Sequence, residues 1–169
     1  MTTAPEPVTS KRSLIGLGIA LIASFVASLI GSVLTQPNLD WYATLVKPSF
    51  TPPNGAFPVV WTILFVMMAV AAWLVWRVEG FRSAQGGLSL FIVQLTVNAL
   101  WTWIFFVWRL GATAFVEILL LWTLILIMTV IFWRKRPLAG ILMIPYLSWV
   151  TYASALTYMI WRLNPHILS

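Results

Sequence analysis

The chain contains no cysteine, one histidine and only four acidic residues among 169. Without cysteine there can be no disulfide, thiolate nucleophile or cysteine metal site. The lone His166 stands in the last few residues, which removes a buried histidine base and most metal chemistry; no metal site is expected. Charged residues make up 8% of the chain, whereas soluble domains carry about a quarter, so an ordinary soluble domain is excluded. Period-two alternation is also missing, which excludes the strands of a transmembrane barrel. The net charge of +6 does not indicate a nucleic-acid partner. The basic residues sit at the ends of apolar segments, where they serve as orientation signals and phospholipid contacts.

What the chain does have is apolar length. Hydrophobic residues make up 61%, and five runs reach the roughly 20 residues needed to cross a bilayer. The expected spans are 14–34, 57–76, 88–108, 112–133 and 138–161. Lipid offers the backbone no hydrogen-bond partners, so these runs must be helices. The predicted fold is an all-α integral membrane protein, a single bundle of five transmembrane helices over 14–162. A disordered cytoplasmic tail is expected over 1–13 and a short C-terminal tail over 163–169. The first apolar run exceeds the roughly 7–15 residues of a signal-peptide core and is retained as helix one.

Lys11, Arg12, Arg77, Arg82, Arg134, Lys135 and Arg136 fall on one side of such a bundle, and Lys47, Arg109 and Arg162 on the other. The positive-inside rule then places the N-terminus in the cytoplasm and the first loop outside, in a bacterial cell membrane.

That loop, over 36–56, is the most unusual segment. Pro48, Pro52 and Pro53 stiffen it and exclude helix over 47–53, because proline fixes φ and pushes its predecessor toward extended geometry. Trp41, Tyr42, Phe50 and Phe57 make it aromatic, and Lys47 is its only charge between Trp41 and Trp61. A stiff amphipathic loop of this kind reads as a lid or one wall of a site, or as a cap on the bundle.

Depth along each helix, at about 1.5 Å per residue, places Trp61, Asn98, Trp101, Trp149 and Ala153 beneath this loop. Gln94, Asn98 and Trp101 share one helix face, as do Trp149 and Ala153. Amides in a membrane face the bundle interior, either to bind a ligand or to hold helices together. Glu117 is the one acid within a span; it reads as a functional carboxylate or as an ion pair with Arg109, two turns earlier. Trp76, Trp108, Trp133 and Trp161 end their spans and read as interfacial belt residues. Trp61, Trp101, Trp122 and Trp149 lie within spans, where an indole N–H needs a partner and a flat wall suits a flat conjugated ligand. The rows Ala20, Ser24, Ser28 and Ala23, Ala27, Gly31 on helix one read as helix packing, including dimerisation. Leu156, Tyr158 and Arg162 fit the loose pattern proposed for sterol contact.

Together these residues resemble the translocator protein family, TspO/MBR, also called tryptophan-rich sensory proteins or peripheral-type benzodiazepine receptors, in a bacterial member. The resemblance rests on W-Y-x-x-L-x-K-P-x-F-T-P-P at 41–53, F-P-x-V-W at 57–61 and Q-x-x-x-N-x-x-W at 94–101. It continues through A-F-V-E at 114–117 and I-P-Y-L-S-W at 144–149. It implies a five-helix bundle, homodimeric in bacteria, with a pocket under the first loop. The implied ligands are protoporphyrin and other tetrapyrroles, benzodiazepine-type and isoquinoline compounds, and sterols; no cofactor is obligatory. The implied pocket positions are Tyr42, Pro52, Trp61, Asn98, Trp101, Trp149 and Ala153. Three features depart from the family pattern: Phe50 where tryptophan is usual, Glu117 where aspartate is usual, and a longer N-terminal tail. Outer-membrane placement also occurs among relatives.

The expected function is therefore a membrane receptor or sensor for tetrapyrroles, tied to their homeostasis and to stress response. Lys47 is placed to meet a porphyrin propionate at the rim. The alternatives are a light-dependent porphyrin-degrading enzyme using Trp61 and Trp149, a tetrapyrrole or lipid transporter, and a non-catalytic membrane partner subunit whose pocket holds lipid.

Overall fold

The computed structural model describes residues 10–168, with the side chains of all but 10–12 and 79–83. The first helix, α1 (Ser10–Thr35), begins four residues before its expected start, so the end of the predicted tail is already helical. Residues 1–9 lie outside the described residues, as do the side chains of Lys11, Arg12 and Arg82. A 3₁₀ turn (Gln36–Asn38) leads into the short α2 (Leu39–Thr44), which places helix inside the first loop. Residues 47–53 are non-helical, as their prolines require.

Helical backbone then continues from Ala56 to Thr102 as α3. Yet Gln94 Nε2 donates to Met68 Sδ at 2.8 Å across 26 positions, which in a straight helix would lie about 39 Å apart. The chain therefore doubles back between Val78 and Ala84. The two limbs of α3 supply two spans, Ala56–Val78 and Ala84–Val107. With the α1 stretch (Ser13–Thr44), α4 (Gly111–Lys135) and α5 (Pro137–Leu163), five helical stretches among the described residues are long and apolar enough to cross a membrane.

The helix boundaries have local causes. α3 ends in a single π-turn over Trp103–Val107. Its last bonds run from Trp108 N to Trp103 O and from Leu110 N to Ile104 O. The latter closes a seven-residue, π-type terminus, and Arg109, next to its end, takes up the left-handed conformation at φ 58° that helix C-termini commonly use. α4 stops at Arg136, which is held extended by the proline that follows. Pro137 then starts α5, where its missing N–H is no loss.

α1 packs chiefly on α3, α4 packs on α5, and α3 contacts both α4 and α5. Close approaches occur at glycine. A Cβ on Gly16 would strike the Trp76 ring, and one on Gly140 would lie 2.7 Å from Trp133 Cα. Trp76, expected in the interfacial belt, is thus packed against α1. The core includes Met68, Ile125, Met128, Phe132 and Met143, all fully buried. A second cluster, built on Tyr42, Leu45, Phe105 and Ile160, closes the loop end of the bundle. Leu14, Ile15, Ile19 and Ile22 of α1 stay exposed, as a lipid-facing surface requires.

Candidate functional site

The first loop is fastened over the bundle by α5 and its C-terminal cap. Asn164 receives Val46 N on Oδ1 at 2.9 Å and donates from Nδ2 to Val46 O at 2.8 Å. The same Nδ2 donates to Ile160 O at 2.7 Å, within the last turn of α5. Tyr152 Oη donates to Phe50 O, and the Tyr152 and Phe50 rings meet edge-on at 6.0 Å. Arg109 lies over the Trp41 ring at 4.7 Å. The loop is thus held at three separate points.

Beneath it lies a cavity of about 340 Å³, within the range of roughly 300–1,000 Å³ typical of small-molecule sites. Tyr42, Trp61, Asn98, Trp101, Trp149 and Ala153 all line it. Pro52 does not. Besides Tyr42, its loop reaches the cavity through Gln36, Leu39 and Asn54, and Phe57 and Pro58 at the start of α3 add to the wall.

The aromatic wall is braced by its neighbours. Trp101 stacks on Phe105 at 5.1 Å with the planes 9° apart, and Trp61 meets Tyr146 edge-on at 6.1 Å. Trp149 packs against Phe57 at 5.9 Å. The indole N–H groups of Trp101 and Trp149 are buried without a hydrogen-bond partner among the described residues, an uncommon state for buried indoles.

The secondary candidates fall elsewhere. Gln94 is fully buried and does not line the cavity. It bonds to Met68 and receives the Tyr146 hydroxyl on Oε1 at 2.9 Å. Lys47 does not reach the cavity either. Its ammonium donates to Ala43 O at 3.3 Å and Leu45 O at 3.1 Å and rests 4.9 Å from the centre of the Tyr42 ring. Glu117 is buried, and neither carboxylate oxygen has a partner among the described residues. The expected pair with Arg109 is not formed, because the guanidinium is stacked on Trp41. Trp122 does not line the cavity and donates to Thr151 Oγ1 at 2.7 Å. Leu156 lines the cavity, whereas Tyr158 is exposed against Phe115 and Trp161, and Arg162 lies over Trp161. The three members of the sterol pattern therefore share no single surface.

The sequence reading missed the contribution of α1. Ala27, Ser28, Gly31, Ser32 and Thr35 form one wall of the cavity. Their small size had indicated close helix contact, but here part of that row leaves space. A Cβ on Gly31 would meet only Thr102 Oγ1, at 3.5 Å.

Fold and site together define a five-span helical membrane protein that encloses an aromatic-walled cavity under its first extramembrane loop. The TspO/MBR family model matches residues 19–162, and the chain belongs to that family. It is 38% identical over 157 residues to protein CrtK of Rhodobacter capsulatus, covering 90% of this chain and 95% of the relative. It is 36% identical over 160 residues to the tryptophan-rich protein TspO of Chlorobaculum tepidum, covering 92% and 99%. It is 38% identical over 146 residues to the human translocator protein, covering 85% and 86%.

Proposed function

We propose that this protein is a membrane receptor that binds tetrapyrroles, protoporphyrin among them, in the cavity under its first loop, and that it serves as a sensor of their level in tetrapyrrole homeostasis and stress response. The observation that carries this reading is the convergence of Trp61, Trp101 and Trp149 from three different spans on one cavity. Flat indole walls offer stacking area to a flat conjugated ring, and Asn98 adds a buried polar group of the kind such sites use for orientation. The loop faces outward and the N-terminus the cytoplasm, as the Lys and Arg bias requires. The protein acts as a homodimer in a bacterial membrane, and no cofactor is needed.

The test is a dark titration of detergent-purified protein with protoporphyrin, followed by tryptophan fluorescence, beside the Trp61→Phe/Trp149→Phe double variant. Saturable quenching that weakens at least tenfold in the variant supports the reading; quenching that is linear, or equal in both proteins, refutes it. Trp61 and Trp149 face the same space, which favours one second reading, light-dependent degradation of the bound pigment. Product that forms under illumination and is lost in Trp149→Phe would identify turnover.

A further inference from the structure

Asn98 reaches the cavity from the end of a buried hydrogen-bond relay whose direction is fixed from its far end. The relay begins at Met68, which is fully buried on the first limb of α3. A thioether sulfur can accept a hydrogen bond but cannot donate one. Gln94, 2.8 Å away, must therefore turn its NH₂ toward the sulfur. That leaves Gln94 Oε1 facing the Tyr146 hydroxyl at 2.9 Å, where it can only accept. Tyr146 has one proton and gives it to Gln94, so its oxygen is left as an acceptor. Asn98 meets that oxygen at 3.2 Å and must present its own NH₂ there. The other end of the same carboxamide, Oδ1, makes no hydrogen bond within the described chain, and Asn98 lines the cavity.

From this relay we infer that the cavity presents a hydrogen-bond acceptor at Asn98, so that it selects a flat aromatic ligand carrying an N–H or O–H donor at that point over an isosteric ligand carrying an acceptor. Met68, Gln94 and Tyr146 are positioning residues for this selectivity; none of the three lines the cavity. A pyrrole or lactam N–H has the required polarity, whereas an ester carbonyl, ether or pyridine-type nitrogen does not. Met68, Gln94 and Tyr146 are each no more than 1% exposed. No solvent therefore reaches the relay to supply a substitute donor, and reversing Asn98 would leave two lone pairs facing each other.

The inference rests on the cavity being a ligand site, and the test separates the two claims. The probes are carbazole, a flat three-ring N–H donor, and acridine, a flat three-ring acceptor. Each is titrated into detergent-purified protein at mildly alkaline pH, where acridine is neutral, and followed by tryptophan quenching. The expected preference for carbazole is about tenfold, the factor that one buried hydrogen bond supplies. In Gln94→Leu the Tyr146 proton loses its acceptor and turns to Asn98 Oδ1. The Asn98 NH₂ then faces the cavity, and the preference reverses toward acridine. In Met68→Leu, a milder change at the far end of the relay, Gln94 is free to turn and the preference falls below about threefold. Asn98→Leu binds both probes without discrimination.

Equal affinities in the native protein, or tighter acridine, overturn the inference while leaving the cavity reading intact. A tenfold carbazole preference that persists in Gln94→Leu or Met68→Leu also overturns it. If neither probe binds saturably, the cavity reading fails and the inference fails with it.

Discussion

Gly31 permits a test that separates ligand binding from folding. It sits in the wall that α1 contributes to the cavity, and an added Cβ would meet only Thr102 Oγ1, at an ordinary contact distance of 3.5 Å. Gly31→Ala should therefore fold normally. It should gain up to about 1 kcal/mol, because alanine is that much better than glycine in a helix interior. Gly31→Leu places a branched side chain into the cavity of about 340 Å³ without overpacking the ligand-free protein. A ligand that fills the same space must then compete with it. Forcing extra methylenes into a filled site costs about 1–3 kcal/mol, which corresponds to a loss of affinity of roughly 5- to 150-fold. The assay pairs protoporphyrin quenching with thermal unfolding of the same detergent-purified samples. The expected pattern is a stability that holds or rises across glycine, alanine and leucine while affinity falls. A leucine variant that unfolds would show that the space beside Gly31 is not open. One that folds and binds as tightly as the native protein would show that α1 does not border the ligand.

Asn164→Ala removes the three hydrogen bonds that tie Val46 and Ile160 together. It should lower stability by about 1–3 kcal/mol and speed amide exchange at Val46, and unchanged exchange would argue against the tether. Arg109→Ala and Arg109→Gly lose the same stack on Trp41, but only glycine relieves the left-handed backbone at that position. The glycine variant should be the more stable by about 1–2 kcal/mol in thermal unfolding, and equal stabilities would refute the strain. Glu117→Leu removes two buried carboxylate oxygens that lack partners among the described residues. It should stabilise the protein by about 1–3 kcal/mol, and a loss of stability would mean that the carboxylate has a partner in the membrane.

The sequence reading placed much of the site because depth along a helix follows from counting residues. Trp61, Asn98, Trp101, Trp149 and Ala153 come from three spans, and all five line the one cavity. The prolines likewise excluded helix over 47–53. Direction around a helix was harder to read. Leu156 and Tyr158 are two residues apart and face opposite ways. Pro52 carries the loop's stiffness yet stands off the cavity, while Asn54 reaches it.

The amino-acid sequence by itself determined that this chain spans a membrane five times and that its aromatic loop lies on the side where the embedded amides and tryptophans gather. Backbone hydrogen bonding in lipid admits no other arrangement of such long apolar runs. Only the tertiary structure decided which faces meet. In a soluble helix the polar stripe marks the outside, but a membrane helix is apolar toward lipid and apolar toward its neighbours, so that contrast is lost. The small residues of α1 therefore had the same signature whether they brought a helix close or left a cavity open. Arg109 was equally free on paper to pair with Glu117 or to stack on Trp41. The direction of the relay from Met68 to Asn98 depends on atoms that four separated sequence positions bring within 3.2 Å of one another. No spacing along the chain encodes that.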